Sequence, residues 1–532
     1  MEPKIIEKKI ALFLLFVFII VGGYLRVIKL DRPMFWVDEF KHVFAAKGII
    51  ETGKPMLPSG SLYTRSIIYT YILSLFFKLF GTNEVTARLP SVIFGVLMIP
   101  LTYYVASRLI NRNTGIISAF LVALSPFSIR WSSTCRMYSL FQPLYLLSVF
   151  YFFKAFEERD EIYKIGFSFY SIKKYLIFFL IYIPTFLTHT LSILLIPTTF
   201  IYILLMFFLV FFKKGLNLAL YSKYPKGSIL ILIIGLISLF LFIYVRKKNP
   251  LDLSRFMMYP PNWGLMYAYN IDFYHRAIRG MYPMFYYCYP IALFMLILKK
   301  PKIGLYIGSC FLVPFIALSF IFVWRNLRYI FFVFPFFLIT ISFLIEHILY
   351  YSWKLFKSLA SSFLSNSRMV RTSKAVILIG SISMILISFP LLFLWIKKLE
   401  YGSPSVSSNE FRKFIDIVKE EINPEDLIIC VNPFFTEYYF SRTPDSIINL
   451  YFPSRKRKIH RKKREKGILL INDSEELKLL ENSGKRIWII TWRNILKRRR
   501  KDIYNYLNDN YKLYSLSEGG VKVYYKCGNQ EN

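Results

Sequence analysis

The chain has 532 residues, of which 55% are hydrophobic and 19% aromatic, and it carries a formal net charge of +36. This hydrophobicity excludes intrinsic disorder, which combines high charge with low hydrophobicity, and it is too high for an ordinary soluble enzyme. The basic residues lie between long apolar segments rather than in one patch. The composition therefore predicts a polytopic membrane protein with no nucleic-acid partner.

Apolar segments long enough to cross a hydrocarbon core of about 30 Å recur through the first three quarters of the chain. Segment 66–80 is shorter and contains Lys78, which is typical of an interfacial or re-entrant helix. About eleven transmembrane helices are predicted, at residues 10–25, 89–107, 115–131, 139–153, 175–190, 191–212, 228–245, 283–298, 303–323, 330–350 and 375–396.

The distribution of Lys and Arg predicts the orientation of these helices. With a cytoplasmic N-terminus, the inner loops hold 22 Lys and Arg in 80 residues and the outer loops 18 in 113. This bias agrees with the positive-inside rule. It predicts a multi-pass protein of the cytoplasmic (plasma) membrane whose C-terminus is extracytoplasmic. The outer loops would then be 26–88, 132–138, 246–282 and 324–329.

The C-terminal region differs in character from the rest. Short apolar runs at Leu427–Val431, Ile468–Ile471, Ile487–Thr491 and Val521–Tyr525 alternate with helical patterns at 409–422, 473–482 and 494–508. Alternating strands and helices predict a small α/β domain. We therefore expect a transmembrane domain at 1–396 and an extracytoplasmic α/β domain at 397–532. Cys430 and Cys527 fall in the second and could pair in an oxidising compartment.

The first outer loop contains two adjacent carboxylates, Asp38 and Glu39, beside the aromatic residues Phe35 and Trp36. One interpretation is a general base with a partner that positions it or binds a metal ion. The alternative is a helix start, because acidic residues favour the first turn of a helix.

Several arginines fall in the predicted outer loops, against the positive-inside tendency. Arg136 precedes Tyr138, while Arg325 and Arg328 precede Tyr329. The planar guanidinium group suits phosphate, so these residues are candidate phosphate ligands. The alternative is that they reach out to lipid headgroups.

His189 falls at the outer end of the predicted fifth span, where an ionisable residue is a functional candidate. It could ligate a metal ion with Asp38 or Glu39, hydrogen-bond a sugar, or be structural. Trp263 and His275 lie in the outer loop 246–282. Aromatic residues with a few polar neighbours suit contact with a sugar ring.

Taken in chain order, these motifs resemble the multi-spanning GT-C glycosyltransferases, in particular the branch of the protein O-mannosyltransferases and the bacterial aminoarabinose transferase. The resemblance covers about residues 10–350. Its elements are W-x-D-E at 36–39, F-G-x-x-E-x-x-x-R-L-P-S at 80–91, Ser125-Pro126 with a later R-x-Y at Arg136 and Tyr138, and the pair Arg328-Tyr329.

The resemblance implies a sugar donor on a polyprenyl or dolichyl phosphate, used at the outer membrane face. Asp38 would match the catalytic base of an inverting transfer, Glu39 its paired acid and Tyr138 a substrate contact. His189 would match a position where some relatives hold a divalent ion. The acceptor, whether protein, lipid or glycan, stays open. The implied ligands of the donor phosphate are Arg65, Arg136, Arg325, Arg328 and Tyr329.

Two other functions remain open on the sequence alone. A transporter or lipid flippase would place polar residues near mid-membrane and show paired halves, whereas here the polar residues lie in the outer loops. A lipid-diphosphate-dependent polysaccharide polymerase or ligase shares arginine-rich outer loops but does not predict the motif at 36–39. The chain has no P-loop, GxGxxG, HExxH or Asp-x-Asp motif, which disfavours a cytoplasmic nucleotide enzyme.

Overall fold

The structure is a computed structural model that describes residues 7–28, 30, 35, 37–157, 169–215, 223–248, 271–322, 325–362, 408–448, 469–492, 495–515 and 521–527. The predictions for Trp36, Trp263 and the eleventh span at 375–396 lie outside these residues. The chain divides into two compact units. The first unit comprises Met1–Lys29, Thr64–Ile72 and Arg88–Leu399, and the second comprises Leu30–Tyr63, Leu73–Ala87 and Glu400–Asn532.

Helices account for most of the described chain up to residue 362, and the longest described segment without a helix is 53–66, which contains a β-bridge between Met56 and Leu62. Short 3₁₀ turns occur at Thr190–Leu194, Leu327–Tyr329 and Phe331–Val333. The helices are α1 (Lys8–Val27), α2 (Val37–Thr52), α3 (Ile67–Phe80), α4 (Glu84–Leu109), α5 (Arg112–Leu124), α6 (Pro126–Ser132), α7 (Tyr138–Glu157), α8 (Phe169–Thr188), α9 (Leu195–Lys214), α10 (Lys223–Lys248), α11 (Phe273–Met281), α12 (Pro283–Lys299), α13 (Pro301–Phe320) and α14 (Phe334–Ser362).

The predicted multi-pass membrane architecture is confirmed. Among the described residues, six helical segments are long and apolar enough to cross a membrane, or up to eight if two bent helix pairs count as spans. The bent pairs are α5 with α6, at 60°, and α11 with α12, at 106°. Two further predicted spans, 175–190 and 228–245, coincide with α8 and α10. Helix α3 has 14 residues and is about 21 Å long, shorter than a core of about 30 Å.

Local sequence explains how several helices of the first unit begin. Pro126, Pro283 and Pro301 start α6, α12 and α13, where proline is favoured because the first helical N–H has no partner in the helix. The Asn111 side chain accepts a hydrogen bond from the backbone N–H of Thr114 and caps α5. Helix α5 is largely buried and packs against α1 and α14.

The C-terminal part of the second unit is an α/β fold, as predicted. Its sheet has the order β3-β2-β1-β4-β6-β5, with β1 to β4 parallel and β6 antiparallel to both β4 and β5. Cys430 is buried, Cys527 is exposed, and both thiols are free. The strands are β1 (Leu427–Cys430), β2 (Ser446–Ile448), β3 (Leu469–Ile471), β4 (Ile487–Trp492), β5 (Lys512–Ser515) and β6 (Val521–Lys526), and the helices are α15 (Ser408–Glu421), α16 (Pro433–Tyr439), α17 (Ser474–Glu481), α18 (Ile495–Arg499) and α19 (Lys501–Asn510).

Helix α2, in the segment predicted to be the first outer loop, packs against α16 within this second unit. The ring of Phe40 lies edge-on to the rings of Tyr438 and Tyr439, at centroid distances of 6.0 and 6.1 Å. Phe44 lies 5.7 Å from Phe434. The loop that the sequence analysis assigned to the transmembrane domain thus shares its compact unit with the C-terminal α/β fold.

Candidate functional site

Five residues of the first unit form what we call the arginine–tyrosine cluster: Arg136, Tyr138, His189, Arg328 and Tyr329. The Arg136 guanidinium lies 5.7 Å from the ring centre of Tyr138. The Arg328 guanidinium lies 5.9 Å from the same ring and 5.3 Å from that of Tyr329. Two arginines that are far apart in the sequence therefore converge on one tyrosine at the start of α7.

His189 is one of the buried members of the cluster. Its ring lies 5.3 Å from that of Tyr138 and stacks on Phe141 at 5.1 Å. Its Nδ1 accepts a hydrogen bond from the backbone N–H of Leu191 at 3.1 Å, so a neutral ring carries its proton on Nε2. This arrangement favours His189 as a hydrogen-bond donor rather than as a metal ligand. Arg65 lies within electrostatic range of His189.

The backbone of Arg136 is held by a residue that the sequence analysis did not single out. The Arg136 N–H donates to Ser91 Oγ at 3.4 Å, and Ser91 Oγ donates to the Arg136 carbonyl at 3.3 Å. Tyr69 from α3 hydrogen-bonds the same hydroxyl at 2.8 Å. Ser91 is the last residue of the R-L-P-S motif at 88–91. Its place in this motif was the only indication in the sequence that it has a role.

Positive charge in the cluster extends from the interior to the surface. Arg136 is 5% exposed, Arg328 is half-buried and Arg65 is exposed. Like charges this close repel one another, and a bound anion offsets that repulsion. One guanidinium group can donate two parallel hydrogen bonds to two oxygens of a phosphate. The arrangement therefore suits a phosphate group that enters from the exposed side.

Two other predicted site residues make contacts outside the cluster. Arg325 donates from Nη2 to the Ser319 carbonyl at 2.9 Å, at the end of α13. His275 Nδ1 lies 2.5 Å from the Tyr286 hydroxyl, and its ring lies 4.8 Å from that of Phe315. The roles of Arg325 in phosphate binding and of His275 in sugar binding stay predictions.

The predicted catalytic carboxylates, Asp38 and Glu39, lie in the first turn of α2 in the second unit. Asp38 is half-buried, whereas Glu39 is 2% exposed and has the buried rings of Phe35 and Phe40 as sequence neighbours. Burying a carboxylate is costly unless it is stabilised, and a helix N-terminus stabilises negative charge. Both the helix start and the general base agree with this arrangement, so the catalytic role stays a prediction.

Glu84 has a role that its motif did not reveal. Its carboxylate accepts hydrogen bonds from Arg412 Nη2 and from the Tyr439 hydroxyl, each at 3.1 Å. The Tyr439 hydroxyl also accepts from the backbone N–H of Phe35 at 3.2 Å. Within the second unit, Glu84 and Tyr439 thus connect the segment before Asp38 to the α/β fold.

The sequence left open a divalent metal ion at Asp38, Glu39 and His189. In the part of the chain that the structure describes, no group of three or more His, Cys, Asp or Glu residues could hold a metal ion. The role of these three residues in holding a metal ion stays a prediction, and the reaction is written without a metal step.

Comparisons with known proteins bear on this arrangement. Residues 64–243 match a family model described as dolichyl-phosphate-mannose-protein mannosyltransferase. The fold is similar to that of ArnT from Cupriavidus metallidurans bound to undecaprenyl phosphate, with a TM-score of 0.56 and 13% identity over 96% of this chain and 97% of that chain. The chain has the GT-C fold. Three residues of the arginine–tyrosine cluster, Arg136, Tyr138 and His189, lie inside the matched segment, whereas Arg328, Tyr329 and Asp38 lie outside it.

The predicted resemblance to the GT-C glycosyltransferases is therefore confirmed. The fold is also similar to the archaeal oligosaccharyltransferase AglB from Archaeoglobus fulgidus in complex with an inhibitory peptide and a dolichol-phosphate, with a TM-score of 0.58 and 12% identity over 98% of this chain and 74% of that chain. Another structure of that oligosaccharyltransferase, in complex with Zn and sulfate, has a TM-score of 0.50 at 12% identity over 95% and 72% of the two chains. No curated protein matches the chain.

Proposed function

We propose that the chain is an inverting glycosyltransferase that moves a sugar from a polyprenyl- or dolichyl-phosphate donor to a hydroxyl group of an acceptor. The convergence of Arg136 and Arg328 on Tyr138 carries this proposal, since it suits a phosphate group. The family match and the similarity to ArnT and AglB support glycosyltransferase activity with a lipid-phosphate sugar donor.

The cluster would act on the leaving group. As the bond between the anomeric carbon and the phosphate oxygen breaks, negative charge develops on the lipid phosphate. Positive groups fixed in advance stabilise such charge most strongly, because they need no reorganisation during the reaction. Arg136 and Arg328 would supply this stabilisation, with Tyr329 and Arg65 on the more exposed side. The Nε2–H of His189 would donate to a sugar or phosphate oxygen.

Asp38 would act as the general base. The acceptor oxygen attacks the anomeric carbon on the side opposite the phosphate, Asp38 takes the hydroxyl proton, and the lipid phosphate leaves with the electron pair of the broken bond. Attack from the opposite side inverts the anomeric configuration. Glu39, the next residue of α2, would be the paired acidic residue. The excess of Lys and Arg in the predicted inner loops supports a reaction at the outer face of the plasma membrane.

The test is transfer by the full chain in liposomes, with a panel of polyprenyl-phosphate hexoses and pentoses as donors. Asp38→Asn should lower kcat by about 10²–10⁴-fold, as expected for loss of a general base, while the protein still binds undecaprenyl phosphate. Asp416→Asn is the control, because Asp416 is an exposed carboxylate on α15.

Two results would count against the proposal. A fully active Asp38→Asn variant would remove Asp38 as the base. Failure of the wild-type chain to transfer sugar from any donor of the panel, together with failure to bind undecaprenyl phosphate, would overturn the function itself.

A further inference from the structure

The chain bends by 60° between α5 and α6, at Pro126. Proline has no N–H, so the carbonyl of Val122, which residue 126 would satisfy in a continuous helix, loses its partner. The N–H of Phe127, which would reach Ala123, instead lies 3.5 Å from the Tyr282 hydroxyl. The bend therefore leaves the carbonyls of Val122 and Ala123 in need of donors from elsewhere.

Arg26 supplies these donors from α1. Its Nη2 donates to the Val122 carbonyl at 3.1 Å, and its Nη1 donates to the Ala123 carbonyl at 3.0 Å and to Gly22 at 2.7 Å. Arg26 is fully buried. A buried charge in a membrane helix is expensive, but unsatisfied carbonyls at membrane depth are expensive as well, and the C-terminus of a helix favours a cation.

Arg26 also contacts the residue that follows the C-terminal end of α6. The Ser133 hydroxyl, directly after α6, lies 3.3 Å from the Arg26 carbonyl and 2.7 Å from the Ile129 carbonyl. Arg136 follows three residues later. A single residue of α1 therefore holds the end of α5 through its side chain and the end of α6 through its backbone, immediately before the cluster.

We propose that Arg26 is a positioning residue for the lipid-phosphate site. It fixes the bend between α5 and α6, and through α6 it sets the place of Arg136. This inference rests on the proposed function, in which Arg136 binds the donor phosphate. A forked guanidinium can satisfy two neighbouring carbonyls, whereas a lysine offers one compact charge. Arg26→Lys should therefore restore only part of the function that Arg26→Met loses.

The first test is a double-mutant cycle on the purified full chain, with undecaprenyl phosphate as the probe and native mass spectrometry as the readout. Arg26→Met should weaken the binding of undecaprenyl phosphate about tenfold, and Arg26→Lys about threefold. The physical reason is that a displacement of the Arg136 side chain by about 1 Å is costly. In an Arg136→Ala background, Arg26→Met should cost less than about twofold, because coupled residues are not additive. Equal losses in both backgrounds would overturn the proposal. If Arg26→Met fails to fold, Arg26→Lys in the two backgrounds provides the same test.

Tyr306→Phe is the matched control. It removes a buried hydrogen bond of 2.7 Å from the Tyr306 hydroxyl to the Val149 carbonyl of α7. Its thermal stability should fall, while its affinity for undecaprenyl phosphate stays at the wild-type value. A control that weakens binding as much as Arg26→Met does would overturn the proposal, because general destabilisation would then explain both results.

The second test is hydrogen exchange of residues 122–137, and it needs no ligand. Arg26→Met should raise exchange in this segment at least tenfold, and Tyr306→Phe should leave it unchanged. If the wild-type chain does not bind undecaprenyl phosphate, the proposed function fails, yet this exchange measurement still decides whether Arg26 fixes the bend. Unchanged exchange at 122–137 in Arg26→Met would overturn the positioning role.

Discussion

The first compact unit contains a cationic cluster and the second contains a pair of carboxylates, and the two groups are assembled in different ways. In the first unit, Arg136, His189 and Arg328 come together from distant parts of the sequence. In the second unit, Asp38 and Glu39 are neighbours on one helical turn. The cationic cluster therefore depends on tertiary packing and should be sensitive to distant substitutions, whereas the carboxylate pair depends on one turn and on the chemistry of each side chain.

Removing one arginine of the cluster is expected to give the largest effect on the donor. Arg328→Ala should raise the KM for the lipid-phosphate donor by about 10–100-fold, the equivalent of one charge-assisted hydrogen bond of about 1.5–3 kcal/mol. The acceptor KM should change little. Steady-state transfer with each substrate varied in turn measures both constants.

The control for this prediction is Arg108→Ala. The Arg108 guanidinium also lies over a tyrosine ring, 5.8 Å from that of Tyr104, but Arg108 is exposed and outside the cluster. Its donor KM should equal that of the wild type. Equal effects of the two substitutions would remove the distinction between the cluster and an ordinary arginine–tyrosine contact.

A substitution on α4 should disturb the arginine–tyrosine cluster without altering any of the cluster's own side chains. A Cβ added at Gly95 on α4 would lie 2.1 Å from Ser132 Cβ, so Gly95→Ala must displace α6. Overpacking of this kind costs about 1–3 kcal/mol, and donor affinity should fall about tenfold. Gly235→Ala is the control, because nothing lies within 4 Å of the added Cβ. Unchanged donor affinity in Gly95→Ala would show that the cluster does not depend on the position of α6.

The same contrast explains what the sequence could and could not predict. Membrane helices and apolar strands depend on local composition, so hydropathy placed most of them. The sequence analysis missed β2 and β5, which mix polar and apolar residues, whereas β1 and β3 are equally short but apolar throughout. The predicted outer-loop location of Arg136 and Arg328 marked them as candidate phosphate ligands. The supporting roles of Arg26 and Ser91 depend on contacts with chain segments about 45–97 residues away and left no local signal.

The second unit can be tested at the contact between its outer-loop segment and its α/β fold. Tyr439→Phe removes the hydroxyl that donates to Glu84 and accepts from the N–H of Phe35. A net hydrogen bond is worth about 0.5–1.5 kcal/mol, so kcat should fall about threefold as α2 loosens, while undecaprenyl phosphate binds as in the wild type. Tyr504→Phe on α19 is the control and should keep the wild-type kcat. Weaker lipid binding in Tyr439→Phe would contradict the separate roles of the two units.

The smallest expected effect is a loss of local stability at low pH, which should depend on Glu481 in the second unit and should not depend on it in the first unit. Burial raises the pKa of Glu481, but hydrogen bonds from Lys526, Tyr506 and Tyr511 lower it by more, so the pKa lies below its ordinary value of 4.5. A carboxylate with a lowered folded-state pKa stabilises the fold above its unfolded pKa, and this stabilisation is lost as the pH falls through the folded pKa. Hydrogen exchange at 469–481, expressed relative to the intrinsic exchange rate at each pH, should therefore rise below about pH 4.5 in the wild type. In Glu481→Gln it should be higher at pH 7 and change less with pH, and exchange in α14 of the first unit should be the same in both proteins. An equal pH dependence of the two proteins at 469–481 would exclude Glu481 as the titrating group.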